Sequence, residues 1–171
     1  AALSTNVKAV EAFGINPDHP EFGVLRDEFF ANYQACMTLR TRVFEGVEEL
    51  VRRLTQNQLA WGVVTNKPRQ FTEPLLAALG LLERSSCTVS GDTLPERKPH
   101  PRPILHALEQ LAVLPEHSIY VGDARRDIES GRAAGTATIA VRYGYIEPGQ
   151  DPDNWDADFV VSTPAELSQL I

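Results

Sequence analysis

Cysteine is scarce in this chain of 171 residues: Cys36 and Cys87 stand far apart and form no metal-ligand pattern. Such usage fits a reducing cytoplasm, with both thiols expected to be packed. Cations are outnumbered, with 16 Lys and Arg against 23 Asp and Glu and a net charge of −7, which argues against a nucleic-acid partner. No apolar run is long enough to span a bilayer. The opening stretch, AALSTNVKAVEAFG, lacks the basic and then apolar regions of a secretion signal. No GxGxxG follows an apolar run, so a dinucleotide-binding reading is poorly supported. Repeats and low-complexity segments are also missing. What is present, 43% hydrophobic and 23% charged residues, is the composition of an ordinary globular chain of one domain with a small appendage.

Residues 1 to 40 read as two amphipathic helices with no strand between them. Leu3, Val7, Val10 and Phe13 keep helical spacing up to Gly14, and Leu25, Phe29, Tyr33 and Cys36 do so again after a Pro-rich loop. Two short helices bury little alone, so their apolar faces need a partner. From Phe44 the pattern alternates. Val47, Leu50, Val51 and Leu54 mark a helix after Gly46, and Leu59 to Val64 is a continuous apolar run, expected as a strand buried on both faces. Phe71, Leu75 and Leu79 mark a helix that stops at Gly80. Cys87-Thr88-Val89 is a short strand, and Pro99, Pro101 and Pro103 lead into a helix carrying Ile104, Leu108 and Leu111. Strands over 138–141 and 158–161 and a closing helix over 164–170 complete an α/β pattern with a parallel sheet.

The stretch SIYVGDARRDIESGRAAG, from Ser118 to Gly135, organises the rest. Ile119-Tyr120-Val121 has the length of a buried strand; Gly122 breaks it, Asp123 follows, and Asp127 to Ala134 reads as a helix closed by Gly135. An acid at a strand end, just before a helix, lies on the rim where open α/β sheets take their ligands. Two acids so close suit a hard cation such as Mg²⁺. The alternative is a tight turn at Gly122-Asp123 with Asp127 facing the helix dipole. Two further rim sites are Thr65-Asn66, ending the first strand of the run, and Lys98, preceding a helix. Together the three offer a hydroxyl, backbone N–H groups, a cation and a metal-holding carboxylate, which is what a phosphoryl group needs. Each also has a duller reading: Thr65 as an N-cap, Lys98 as a solvated loop lysine. Arg125 and Arg126 read as surface charges whose rim position leaves a role toward an anionic substrate open.

The order VVTNKP, RKPHPRP, YVGDARRDIESGRAAG resembles the second, third and fourth motifs of haloacid-dehalogenase-type phosphatases, nearest the phosphoglycolate phosphatase group. The tail RYGYIEPGQDPDNWDAD further resembles bacterial phosphatases acting on phosphoglycolate or N-acetylmuramic acid 6-phosphate. The resemblance implies a Rossmann-like α/β core with an α-helical cap, residues 1–42 forming a partial cap and 43–171 the core. It implies that Thr65 binds a phosphate oxygen with help from the Asn66 backbone, that Lys98 neutralises developing charge, that Asp123 ligates Mg²⁺, and that Asp127 positions Lys98 or a metal-bound water. It also implies a small phosphorylated substrate and an aspartyl-phosphate intermediate.

One departure stands out. The family's first motif, a strand ending in DxDG(T/S), is absent. It would carry the nucleophile and lie mid-sheet, between the strands ending at Thr65 and Asp123. Asp92, Asp151 and Asp153 follow no apolar strand and are not substitutes. With Ala rather than Met at position 1, this predicts an incomplete phosphatase, inactive alone; the rival expectation is a non-catalytic relative that binds a phosphorylated ligand.

Overall fold

The computed structural model describes residue 14 and residues 18–171. The helix expected around Leu3 to Phe13 lies outside them. The second N-terminal helix, α1, runs Phe22–Cys36. Its aromatic face meets the core: Phe30 and Tyr33 each pack edge-on to Phe71 with centroids 5.2 Å apart. Lys67 sits over the Tyr33 ring, 4.8 Å from its centroid, adding a cation–π contact to the same joint.

The alternating part follows the chain as β1 (Gly62–Val64), α3 (Arg69–Ala78), β2 (Cys87–Val89), α4 (Arg102–Leu111), β3 (Ile119–Gly122), α5 (Arg125–Ala134), β4 (Ala137–Val141), β5 (Phe159–Val161) and α6 (Pro164–Leu170), with α2 (Val47–Gln56) ahead of β1. Gly46 precedes α2 at φ +88°, and a Cβ there would lie 3.2 Å from Pro164, so α2 and α6 close on each other at this turn. Gly135 ends α5 at φ +82°, as a left-handed cap requires. The α5 helix begins two residues before the expected Asp127, at Arg125.

All strand pairs are parallel, but among the described residues they form two sheets, β1-β2 and β3-β4-β5. This corrects the expectation for Leu59 to Val64. Only Gly62 to Val64 is strand, Leu59 is 43% exposed, and neither valine of β1 is fully buried. The reason is one-sided pairing: β2 holds one edge of β1, while the other faces β3 with no ladder between them. The central β4 does behave as a buried parallel strand, with Thr138, Ile139 and Ala140 at most 1% exposed. Ile139, Val141 and Val161 pack with Leu50 and Leu167 under α2 and α6. Ile104, Leu108 and Ala134 join α4 to α5 and so join the two sheets. Ile128, fully buried with Ala140 and Trp155, contributes on the order of 2 kcal/mol by leaving water. Of the cysteines, Cys87 is packed in the core as expected, but Cys36 is exposed, because it falls on the outer side of α1 near its end.

Candidate active site

One cavity of about 280 Å³ opens between the two sheets. It brings together Thr65 and Asn66 from the end of β1, Lys98 from the loop before α4, Asp123 from the β3–α5 turn, and Arg126 and Asp127 from the first turn of α5. Residues 58 positions apart in sequence thus share one rim, the consequence of parallel strands ending on the same side.

Thr65 does not cap a helix. Its N–H donates to Val89 O at 2.9 Å, and its Oγ1 accepts from the Lys67 N–H at 3.1 Å. The hydroxyl proton stays available as a donor. Asn66 uses its side chain on Lys98: Nδ2 donates to Lys98 O at 2.8 Å and Oδ1 accepts from Lys98 N at 3.0 Å. Its own backbone N–H has no acceptor among the described residues.

Lys98 is buried, not a solvated loop lysine. Its ammonium donates to Val64 O and to Tyr120 Oη, both at 2.8 Å, and lies 2.7 Å from Asp127 Oδ1. The Asp127 contact is an ion pair without an aligned hydrogen bond, so Oδ1 keeps a lone pair unused in a buried setting. Burial works to lower the Lys98 pKa, but Tyr120 and Asp127 outweigh it and hold the ammonium above its ordinary value. Burial likewise pushes the Tyr120 phenol up, so Tyr120 is neutral near pH 7. Tyr120 Oη donates in turn to Val64 O at 3.0 Å. Side chains therefore satisfy a strand-edge carbonyl that a ladder would otherwise take.

Asp127 Oδ2 accepts from the Ala124 N–H at 3.1 Å, one half of a capping box; Ala124 has no side-chain oxygen to complete it. Asp123 Oδ2 accepts from the Tyr145 N–H at 2.9 Å, and its Oδ1 is uncommitted among the described residues. Two glycines make room for these acids. A Cβ on Gly122 would sit 2.3 Å from Asp127 Cβ, and one on Gly144 would sit 2.1 Å from Asp123 Cβ. The first is visible in the sequence as the strand breaker. Gly144, Tyr120 and the aromatic wall of Phe44 and Tyr143 carried no sequence signal, since each acts through a long-range contact. Asp92, set aside as a nucleophile, accepts from the Arg69 N–H at 2.8 Å at the start of α3. Asp151 and Asp153 pair with Arg142.

As for a cation, the described residues contain no group of three or more His, Cys, Asp and Glu side chains able to hold a metal. One or two carboxylates with a phosphate oxygen and water nonetheless suit Mg²⁺, and Asp123 offers a free oxygen at the cavity. No helix among the described residues is long and apolar enough to cross a membrane.

Comparison with known proteins bears directly on this cavity. The chain is 46% identical over 160 residues to an N-acetylmuramic acid 6-phosphate phosphatase of Pseudomonas putida, covering 94% of this chain and 72% of that one. It is 41% identical over 140 residues to a phosphoglycolate phosphatase of Xanthomonas campestris, covering 82% of this chain and 63% of the relative. In structure it superposes with a TM-score of 0.87 and 26% identity on a predicted phosphoglycolate phosphatase from Haemophilus somnus, covering 96% of this chain and 73% of the other. Residues 4–141 match the sequence profile of the haloacid dehalogenase-like hydrolases, and the chain belongs to that family.

Proposed function

We propose that this protein is a phosphomonoester hydrolase, Mg²⁺-dependent, acting on a small phosphorylated acid or sugar of the phosphoglycolate or N-acetylmuramic acid 6-phosphate type. The observation that carries the reading is the convergence of Thr65, Lys98 and Asp123 on one cavity, with Asp127 paired to Lys98. Names of the relatives support the substrate class. In this reading the Thr65 hydroxyl and the Asn66 N–H donate to phosphate oxygens, and Lys98 holds positive charge against the transition state. Asp127 keeps Lys98 in place. Asp123 would hold Mg²⁺, which supplies charge neutralisation for the phosphoryl oxygens. Residues 1–42 serve as the cap over a core of 43–171, and the protein works in the cytoplasm on a soluble substrate, with neither nucleic acid nor membrane as partner.

The nucleophile belongs to a DxDG(T/S) strand that this sequence does not contain. The open edges of β1 and β3, with Val64 O held by side chains, are where such a strand would pair. Residues 1–171 alone are therefore expected to release no phosphate above background, even in excess Mg²⁺. Adding an upstream DxDG(T/S) segment from a close relative should bring back turnover that EDTA abolishes. The assay is phosphate release from 2-phosphoglycolate and N-acetylmuramic acid 6-phosphate. Robust turnover by the 18.9 kDa chain, confirmed intact by mass, would refute the nucleophile assignment. A completed, folded chain inert on both substrates would favour the non-catalytic, ligand-binding relative.

A further inference from the structure

The cavity contains two cations of different standing. Lys98 is buried and fully engaged, with Asp127, Tyr120 and Val64 O around its ammonium. Arg126 lines the same cavity, is half-buried, and makes no ion pair or hydrogen bond with the described residues. Its neighbour Arg125 differs in both respects: it is exposed, outside the cavity, and bonded to Glu129 at 3.0 Å. Arg52 and the half-buried Arg102 likewise find acids, Glu49 and Glu109, whereas Arg40 and Arg97, which also lack an acid partner among the described residues, are exposed and outside the cavity. A lone guanidinium lining a cavity of about 280 Å³ is a fork for a planar anion.

We propose that Arg126 is the specificity determinant for a second anionic group, a carboxylate carried by the phosphorylated substrate. The inference rests on the phosphatase reading of the cavity and names its substrate class: phosphomonoesters that are also carboxylic acids. Charge supports it. Among the lining residues, Lys98 and Asp127 cancel as a pair, leaving Asp123 toward a cation and Arg126 toward an anion. Thr65 and the Asn66 N–H face the phosphoryl oxygens, with the Lys98 charge behind them, so the arginine is left for the rest of the molecule. Phosphoglycolate and N-acetylmuramic acid 6-phosphate, the compounds named for the relatives, differ widely in size and in the distance between their charged groups, but each carries a carboxylate in addition to the phosphate. Placed on the first turn of α5, one residue before Asp127, Arg126 is held at a fixed offset from the Lys98–Asp127 pair.

Matched ligand pairs test this. Isothermal titration calorimetry on the chain in Mg²⁺ buffer compares 2-phosphoglycolate with ethyl phosphate, and N-acetylmuramic acid 6-phosphate with N-acetylglucosamine 6-phosphate, which lacks the lactyl carboxylate. The acid should bind about tenfold more tightly than its partner in each pair, the worth of one charge-assisted bond at a partly exposed site. Arg126→Gln should erase that ratio while moving the carboxylate-free ligands less than threefold. Arg125→Gln should leave the ratio intact. If Arg126→Gln weakens both members of a pair equally, Arg126 is a phosphate ligand and the proposal fails, though the cavity remains a phosphate site. An equal affinity for both members in the unaltered chain also overturns it. If neither the acids nor inorganic phosphate binds, the phosphatase reading of the cavity falls and this inference with it.

Discussion

Asn66 and Lys98 grip each other reciprocally: the amide nitrogen of Asn66 donates to Lys98 O, and its amide oxygen accepts from Lys98 N. One side chain thus docks the loop before α4 onto the end of β1, fixing Lys98 at the cavity from a position 32 residues away. Asn66→Ala should remove both bonds and leave Lys98's backbone groups short of partners, at a cost of about 1–3 kcal/mol. Asn66→Asp keeps the acceptor but sets a carboxylate against Lys98 O, and should destabilise as well. Urea unfolding reads both; no change in midpoint for either variant would show that the docking is incidental.

The buried Lys98–Asp127 pair should be costly to break and cheap to replace. Lys98→Met or Asp127→Leu leaves one charge buried without its partner, which typically costs 3–5 kcal/mol, roughly. The double variant should be milder than the sum of the two. With the Lys98 pKa above its ordinary 10.5, the pair's stability is fully present below the unfolded value and is lost as pH rises through the folded one. Urea melts between neutral pH and the alkaline range should therefore show a loss absent in the double variant.

Asp158 gives the opposite sign. Its Oδ2 accepts from Thr138 Oγ1 at 2.8 Å and Thr138 N at 2.7 Å, joining the start of β5 to β4. The side-chain bond from Thr138 and then the backbone one hold its carboxyl below the ordinary 3.8. That stability is present above the unfolded value and disappears as pH falls through the folded one. Asp158→Asn should flatten acid unfolding in that window and leave the alkaline limb alone. Identical acid limbs in both proteins would count against it.

How much of this was legible in the sequence varies by residue. Cys87–Val89 and Pro164–Leu170 were readable to the residue because punctuation bounds them locally. Thr65, Lys98 and Asp123 were readable as rim positions because each follows from local strand or helix ends. Leu59 to Trp61 misled, since an apolar run cannot say how many neighbours its strand will have. The docking by Asn66 and the space made by Gly144 for Asp123 depend on contacts across 32 and 21 residues, which no local pattern encodes.

In a chain completed with a DxDG(T/S) strand, Lys98→Ala should lower kcat on the order of a hundredfold or more, with a much smaller effect on binding, because its charge acts on the transition state. Steady-state kinetics on 2-phosphoglycolate would measure it. A kcat near that of the unaltered protein would return Lys98 to a purely structural role.

The two thiols should be told apart by reagent. Cys36 is exposed, while Cys87 is buried and burial raises its pKa. A disulfide reagent at neutral pH should modify Cys36 quickly and Cys87 only on unfolding; fast labelling of two thiols per chain would contradict the packing around β2.

The division of the strands into two sheets has a mechanical consequence. Among the described residues, the seam between β1 and β3 is crossed by no ladder but by side-chain contacts, among them α4 packed on α5, the Lys98–Asp127 and Arg84–Glu48 ion pairs, Lys98 and Tyr120 reaching Val64 O, and Ser130 Oγ donating to His100 O at 2.8 Å. Such a joint is softer than either half, so the halves should open as separate cooperative units. Native-state hydrogen exchange should give the amides of Cys87–Val89 one opening free energy and those of Ile139–Val141 a higher one; a single value across both would rule the seam out. Since the cavity straddles this joint, a ligand held at once by Thr65 and Asp123 acts as a clasp, and its binding should slow exchange on both sides together.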